Sequence, residues 1–359
     1  MTTASLSSRI IYLFVCVSIL IFSNCTPGKQ PQSAAGDKDQ QLATLDSLLR
    51  DSAFAVAMAT TLDSSYYAGI GQESPPFLLP ADDSTYITTT KFQEKVATNL
   101  AGFYALECGI NMISSRSGEK PVAILKEITS GAVDSDEVFL LNRFANATWK
   151  ASQPFRGLGR ITRSNFIVAS SLSKEEVDKD YVQIKNAAVK LLSSLESKAD
   201  SSMERQMIAL RGLLQDSAYA VSMASFLDSS YYVNLSQPAQ PFFTTDDTAI
   251  IKKTSKGMKI ATSIAGFYAL ECGVNYLVTK TDRLPADIIK AVANDAMTAA
   301  DKNLFARFAN ATWKAGQPFR GISRITRTTF TPFYFLTQPD IDKDLVQVRA
   351  AARKVLPLL

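Results

Sequence analysis

The sequence predicts an all-α protein: two tandem homologous helical-bundle repeats that form an internal pseudo-dimer. Three observations carry this. The chain repeats itself, its apolar residues recur at three- and four-residue steps, and strictly alternating patterns are scarce. Leu48 to Tyr67 matches Leu213 to Tyr232 at 15 of 20 positions, Ala101 to Asn111 matches Ala265 to Asn275 at 10 of 11, and Arg143 to Arg163 matches Arg307 to Arg327 at 18 of 21. The offset is 165 residues in the first block and 164 in the others, so a one-residue slip falls between Phe77 and Asp82. Each copy is as long as a whole domain, which makes this a tandem pair and not a many-unit solenoid.

The N-terminus reads as an address. Ile10 to Phe22 is apolar throughout, IIYLFVCVSILIF, and is followed by Ser23-Asn24-Cys25 and a polar stretch. Thirteen residues fall short of the roughly 20 that span a bilayer, but they suit the core of an export signal. The small polar residues ahead of Cys25 resemble a bacterial lipoprotein signal, although Asn24 and Phe22 stand where Gly or Ala and Leu are usual. The resemblance implies that residues 1–24 are removed and that Cys25 becomes the lipidated (palmitate-bearing) first residue, held in the inner or outer membrane. The body would then lie in the periplasm or at the cell surface of a bacterial envelope. Residues 25–41, rich in Pro, Gly, Gln, Ser and Ala, are expected to be a flexible tether.

Repeat one is assigned to residues 42–197 and repeat two to 198–359, with the Ser-rich ESKADSS near 196–202 as the joint. Leu42, Leu45, Leu48, Leu49, Ala53, Val56 and Ala57 follow a helical period. Pro75, Pro76 and Pro80 interrupt it. Asp82 and Asp83, matched by Asp246 and Asp247, are placed as N-caps of a long helix carrying Phe92, Val96, Leu100, Phe103 and Ile110. Further helices are expected near 121–130, 134–152 and 174–196. Short extended segments are expected at 166–170 and 329–336, where β-branched and aromatic residues gather.

The composition excludes much chemistry. With no histidine, imidazole acid–base catalysis, His-dependent triads and His-liganded metals are absent. Lys and Arg number 38 against 34 Asp and Glu, without a basic run, so nucleic acid is not an expected partner. No cofactor or metal is expected, and no catalytic residue is assigned.

What remains is a small inventory used twice. Glu107 and Asn111, copied as Glu271 and Asn275, share one helix face with apolar residues, so the carboxylate points inward. Arg143, Asn146, Lys150 and Gln153, copied as Arg307, Asn310, Lys314 and Gln317, form a second stripe. The glutamate is expected to face that stripe within each unit, either as a structural ion-pair network or as the lining of a pocket for a small molecule with carboxylate or amine groups. Arg156, Arg160 and Arg163, copied as Arg320, Arg324 and Arg327, suit a phosphate or carboxylate; alternatively they cap helix C-termini or pair with Asp178 and Asp180, matched by Asp342 and Asp344. Cys108 and Cys272 are either buried small side chains or, if the units pair about a pseudo-two-fold, a disulfide. Trp149 and Trp313 read as core anchors. The function these observations favour is a non-catalytic binding or scaffolding module of the envelope, for an anionic small ligand or an envelope protein. The alternative is a histidine-independent lyase or transferase acting on an anionic envelope component.

Overall fold

Apolar spacing and capping chemistry divide residues 34–69 into two helices rather than one. Helix α1 (Ala34–Arg50) buries Leu45 and Leu49. It stops at Asp51, whose carboxylate accepts from Ala53 N at 2.8 Å and Phe54 N at 3.0 Å and so caps α2 (Ser52–Gly69). Asp216 repeats this for α9 (Ser217–Asn234), behind α8 (Met203–Leu214). The computed structural model describes residues 34–77, 85–234, 236–238, 241–242 and 249–359. The export segment, Cys25 and the acidic pairs Asp82–Asp83 and Asp246–Asp247 lie outside them. Helix α1 occupies the last eight positions assigned to the tether, and two contacts fix it to the second copy: Lys38 Nζ donates to Val278 O at 2.9 Å, and Gln41 Oε1 accepts from Ala286 N at 2.9 Å.

The long helix expected around Phe92 to Ile110 is three elements. Strand β1 (Tyr86–Thr90) leads into α3 (Lys91–Asn99), where Thr90 and Gln93 form a reciprocal capping box, and the chain re-aims at Leu100 into α4 (Ala101–Ser117). The second copy repeats the order with β2 (Ile250–Thr254), α10 (Ser255–Ser263) and α11 (Ala265–Lys280). The strands pair antiparallel with Thr88 opposite Lys252, positions that are equivalent in the two copies, so the register is the same read from either strand.

Helices α4, α11, α6 (Ser135–Ser152) and α13 (Ala299–Gly316) make the centre of the molecule. Helix α11 is buried from Ala265 to Val278 on every side, as a helix apolar around most of its girth requires. Phe144 and Phe308, again equivalent, stack at 4.4 Å where α6 meets α13. Around this core lie α5 (Pro121–Ser130), α7 (Lys174–Leu195), α12 (Pro285–Ala293) and α14 (Gln338–Val355). The segments at 166–170 and 329–336 are not strands; short 3₁₀ turns at Ala169–Ser171 and Phe333–Phe335 occupy them, because their backbone groups are drawn to the central helices.

Sequence copy and spatial neighbourhood differ. Helix α2 packs on α14 and α10 of the second copy, while α9 packs on α7 and α3 of the first. The opening hairpin of each copy therefore covers the other copy's helices.

Close approach inside the core rests on glycine. A Cβ on Gly273 would meet the Phe305 ring at 2.4 Å, whereas one on Gly102 would meet Gln183 Cβ at an ordinary 3.5 Å. Gly102→Ala is therefore expected to stabilise the fold by about 0.5–1 kcal/mol through helix propensity. Gly273→Ala is expected to destabilise it by about 1–3 kcal/mol through overpacking. Urea denaturation of the two variants measures the difference.

Candidate functional site

The inward glutamates find the lysines, but across the copies and not within them. Lys314 Nζ on α13 lies 2.5 Å from Glu107 Oε2 on α4, and Lys150 Nζ on α6 lies 2.5 Å from Glu271 Oε2 on α11. All four side chains are fully buried. The expectation of one network inside each unit is thereby corrected. The reason lies in the packing, since α13 lies against α4 as well as α11, and α6 against α11 as well as α4.

Each carboxylate is saturated by local donors. Glu107 Oε1 accepts from Asn111 Nδ2 at 2.8 Å and from Phe333 N at 3.2 Å, while Tyr334 N donates to Asn111 Oδ1 at 2.9 Å. In the other network Ala169 N donates to Glu271 Oε1 at 2.9 Å, and Asn275 turns instead to Ser170 Oγ at 3.2 Å. The residues that break regular structure at 169–170 and 333–334 thus spend their free N–H groups and hydroxyl on these networks.

Cys108 and Cys272 are free and buried, so the disulfide alternative is corrected. Each thiol donates to the neighbouring carboxylate, Cys108 to Glu107 at 3.2 Å and Cys272 to Glu271 at 3.1 Å, and faces Asn310 or Asn146 of the opposite copy. Burial first, and the adjacent glutamate second, push both thiols up, away from the thiolate form a nucleophile needs.

Arg143 and Arg307 share the buried stripe without pairing with glutamate. Their guanidinium groups lie 4.2 and 4.1 Å from the ring centres of Phe139 and Phe333, and Arg307 Nε also donates to Met112 Sδ. Burial pulls Arg307 down to about 10. The aspartates the sequence offered to the arginine set divide differently. Asp178 binds Lys174 at 2.5 Å and Asp342 accepts from Gln338, whereas Asp180 and Asp344 feel the charges of Lys150 and Lys314 without an ion pair to them. Desolvation raises both of the latter to about 7 from 3.8, opposed by those lysines and, for Asp344, by a hydrogen bond with Asn310.

Arg156 lies 3.8 Å from Glu94, and Arg160 donates to Gln153 at 3.4 Å. Sequence reasoning missed Tyr104 and Tyr268, fully buried on the helices that carry the glutamates, with hydroxyls that have no partner among the described residues. Their offset of three from Glu107 and Glu271 was the available signal.

Chemically, each network is a Lys–Glu ion pair closed to solvent, with a partly buried aspartate raised toward neutrality near it; Ser170 and Tyr334 at the edges are exposed. Among the described residues no three Cys, Asp or Glu side chains come together as metal ligands. A surface hollow of about 600 Å³ lies elsewhere, between α7 and Tyr231. No protein-family model, curated protein or solved structure matches the chain.

Two outcomes follow from this geometry. Lys314→Met leaves Glu107 buried with no counter-charge, so chemical denaturation is expected to register a loss of roughly 3–5 kcal/mol; Glu107→Gln added to it, keeping an acceptor for Phe333 N, should recover at least half. Asp180 and Asp344 hold their protons more tightly folded than unfolded, so their stabilising contribution is complete below about pH 4 and is lost as pH rises to about 7. The Asp180→Asn/Asp344→Asn variant is therefore expected to melt higher than the parent above pH 7, with the gap closing toward pH 4 in a series of melting curves.

Proposed function

We propose that the chain is an exported, lipid-anchored protein of a bacterial envelope, whose two copies associate as an internal pseudo-dimer and act as a non-catalytic binding or scaffolding module. The observation that carries the reading is the pair of sealed, cross-copy Lys–Glu contacts. A lysine and carboxylates used in catalysis must reach a substrate, and these are enclosed and bonded to each other. Their arrangement favours a role in holding the two copies together.

The direction of the body supports a tethered role. Helix α1 meets the C-terminal end of α11 through Lys38, while β2 and α10 feed the opposite, N-terminal end of α11. The first described helix thus packs near the α11 C-terminus, while the β1–β2 ribbon at the other end carries the exposed Tyr86 and Ile250. Among the described residues no helix is long and apolar enough to cross a membrane.

Metabolic labelling with palmitate followed by membrane fractionation tests this. The parent chain is expected to take up label and sediment with membranes, and Cys25→Ser to lose both. Label-free parent protein in the soluble cytoplasmic fraction would overturn the proposal.

A further inference from the structure

The duplication supplies its own control for the arginine sets, because the two copies differ in one neighbour. In the first, Glu94 on α3 stands 3.8 Å from Arg156 Nε and 2.9 Å from Lys253 Nζ, so a carboxylate bridges Arg156 to a lysine. The position equivalent to Glu94 in the second copy is Met258, which joins Phe155, Phe319, Ala97 and Ala261 in a small apolar cluster. Lys253 is matched by Thr89, whose hydroxyl is buried without a partner among the described residues.

Arg320, Arg324 and Arg327 therefore keep their charge uncompensated: among the described residues none makes an ion pair, and none donates a side-chain hydrogen bond. The backbone nevertheless holds them together. Gly321, at φ +137°, turns the chain out of one 3₁₀ turn (Gln317–Arg320) into the next (Ile322–Thr326). There Arg324 N bonds to Gly321 O at 3.0 Å and Arg327 N to Arg324 O at 3.3 Å. A three-residue period brings the side chains at 324 and 327 over one another. Arg320 is close enough to feel both: partial desolvation first, and their charges second, pull it down to about 10.

We propose that Arg320, Arg324 and Arg327 form a phosphoryl-oxyanion site that the second copy alone carries. Three guanidinium forks offer more N–H donors than the two oxygens of a single carboxylate can accept, whereas a phosphate presents three or four oxygens and up to two charges. The first copy has the same arginines with its own carboxylate already in place. The inference rests on reading the body as a binding module, but not on its export, which palmitate labelling decides separately.

The test is isothermal titration of the full chain with inorganic phosphate at low salt, with melting curves as a folding control. One site per chain is expected. Arg320→Gln should weaken binding at least tenfold and Arg156→Gln less than twofold. Met258→Glu, which installs the carboxylate of the first copy, should abolish binding, and Glu94→Met should raise the stoichiometry to two. No binding by the folded parent, or equal losses in Arg156→Gln and Arg320→Gln, would overturn the proposal. Phosphatidylglycerol vesicles offered to the Cys25→Ser chain separate two sources of the group. Arg320-dependent vesicle binding that phosphate competes away assigns it to a lipid headgroup, whereas phosphate binding without Arg320-dependent vesicle binding assigns it to a soluble phosphate compound.

Discussion

Burying a lysine ammonium completely is the constraint to which the rest of the molecule answers. Lys150 and Lys314 have no access to water, and the desolvation of each ion costs several kcal/mol that only a well-placed carboxylate can offset. Each carboxylate comes from the other copy. Neither copy can therefore satisfy its lysine alone: one charge is paired only when α13 meets α4, the other only when α6 meets α11. A buried ion pair of this kind adds little net stability over an apolar pair of the same volume, but it penalises every arrangement in which the copies are apart or out of register.

The rest of the fold repeats that dependence. The α1–α2 hairpin covers second-copy helices and the α8–α9 hairpin covers first-copy helices, so each half's apolar surface is sealed by the other. The β ribbon needs one strand from each copy. Phe144 against Phe308 and Phe155 against Phe319 place equivalent rings in contact at two levels of the core, at 4.4 and 5.1 Å. With so many shared elements, separate unfolding of the two halves would expose both.

Much of this was legible in the residues and some was not, for definable reasons. Helices α5, α6 and α7 were readable because their apolar period and end signals agree. The break at Asp51 was hidden because leucines on one side and alanines on the other continue a helical period straight through the cap. The β ribbon was invisible to pattern reading, since YITTT and IIKKT bury little on either face and owe their pairing to a partner 164 residues away. Glu107, Lys150 and their copies were found as inward polar stripes. A stripe repeated identically in two copies does not say which copy it faces, however, and that choice belongs to long-range packing. Asp180 and Asp344 were seen but assigned to the arginines, because sequence distance favours neighbours and the fold favours Lys150 and Lys314.

Duplication explains why the differences between the copies are more informative than the identities. A residue preserved in both copies answers to demands the two share, chiefly the packing and charge pairing of the common core. Where they diverge, the shared scaffold holds geometry constant and isolates a single chemical change. Asn111 stays on Glu107 while Asn275 moves to Ser170, because the position that supplies a hydroxyl in one copy is Tyr334 in the other. Glu94 and its partner Lys253 are matched by Met258 and Thr89, which takes away the bridging carboxylate and leaves three arginines with no ion pair among the described residues. Stability alone gives no reason to keep like charges together without a counter-ion, since their mutual repulsion works against the folded state. An external anion removes that repulsion when it binds, so the second copy's arginines are the part of this molecule whose energetics are completed from outside.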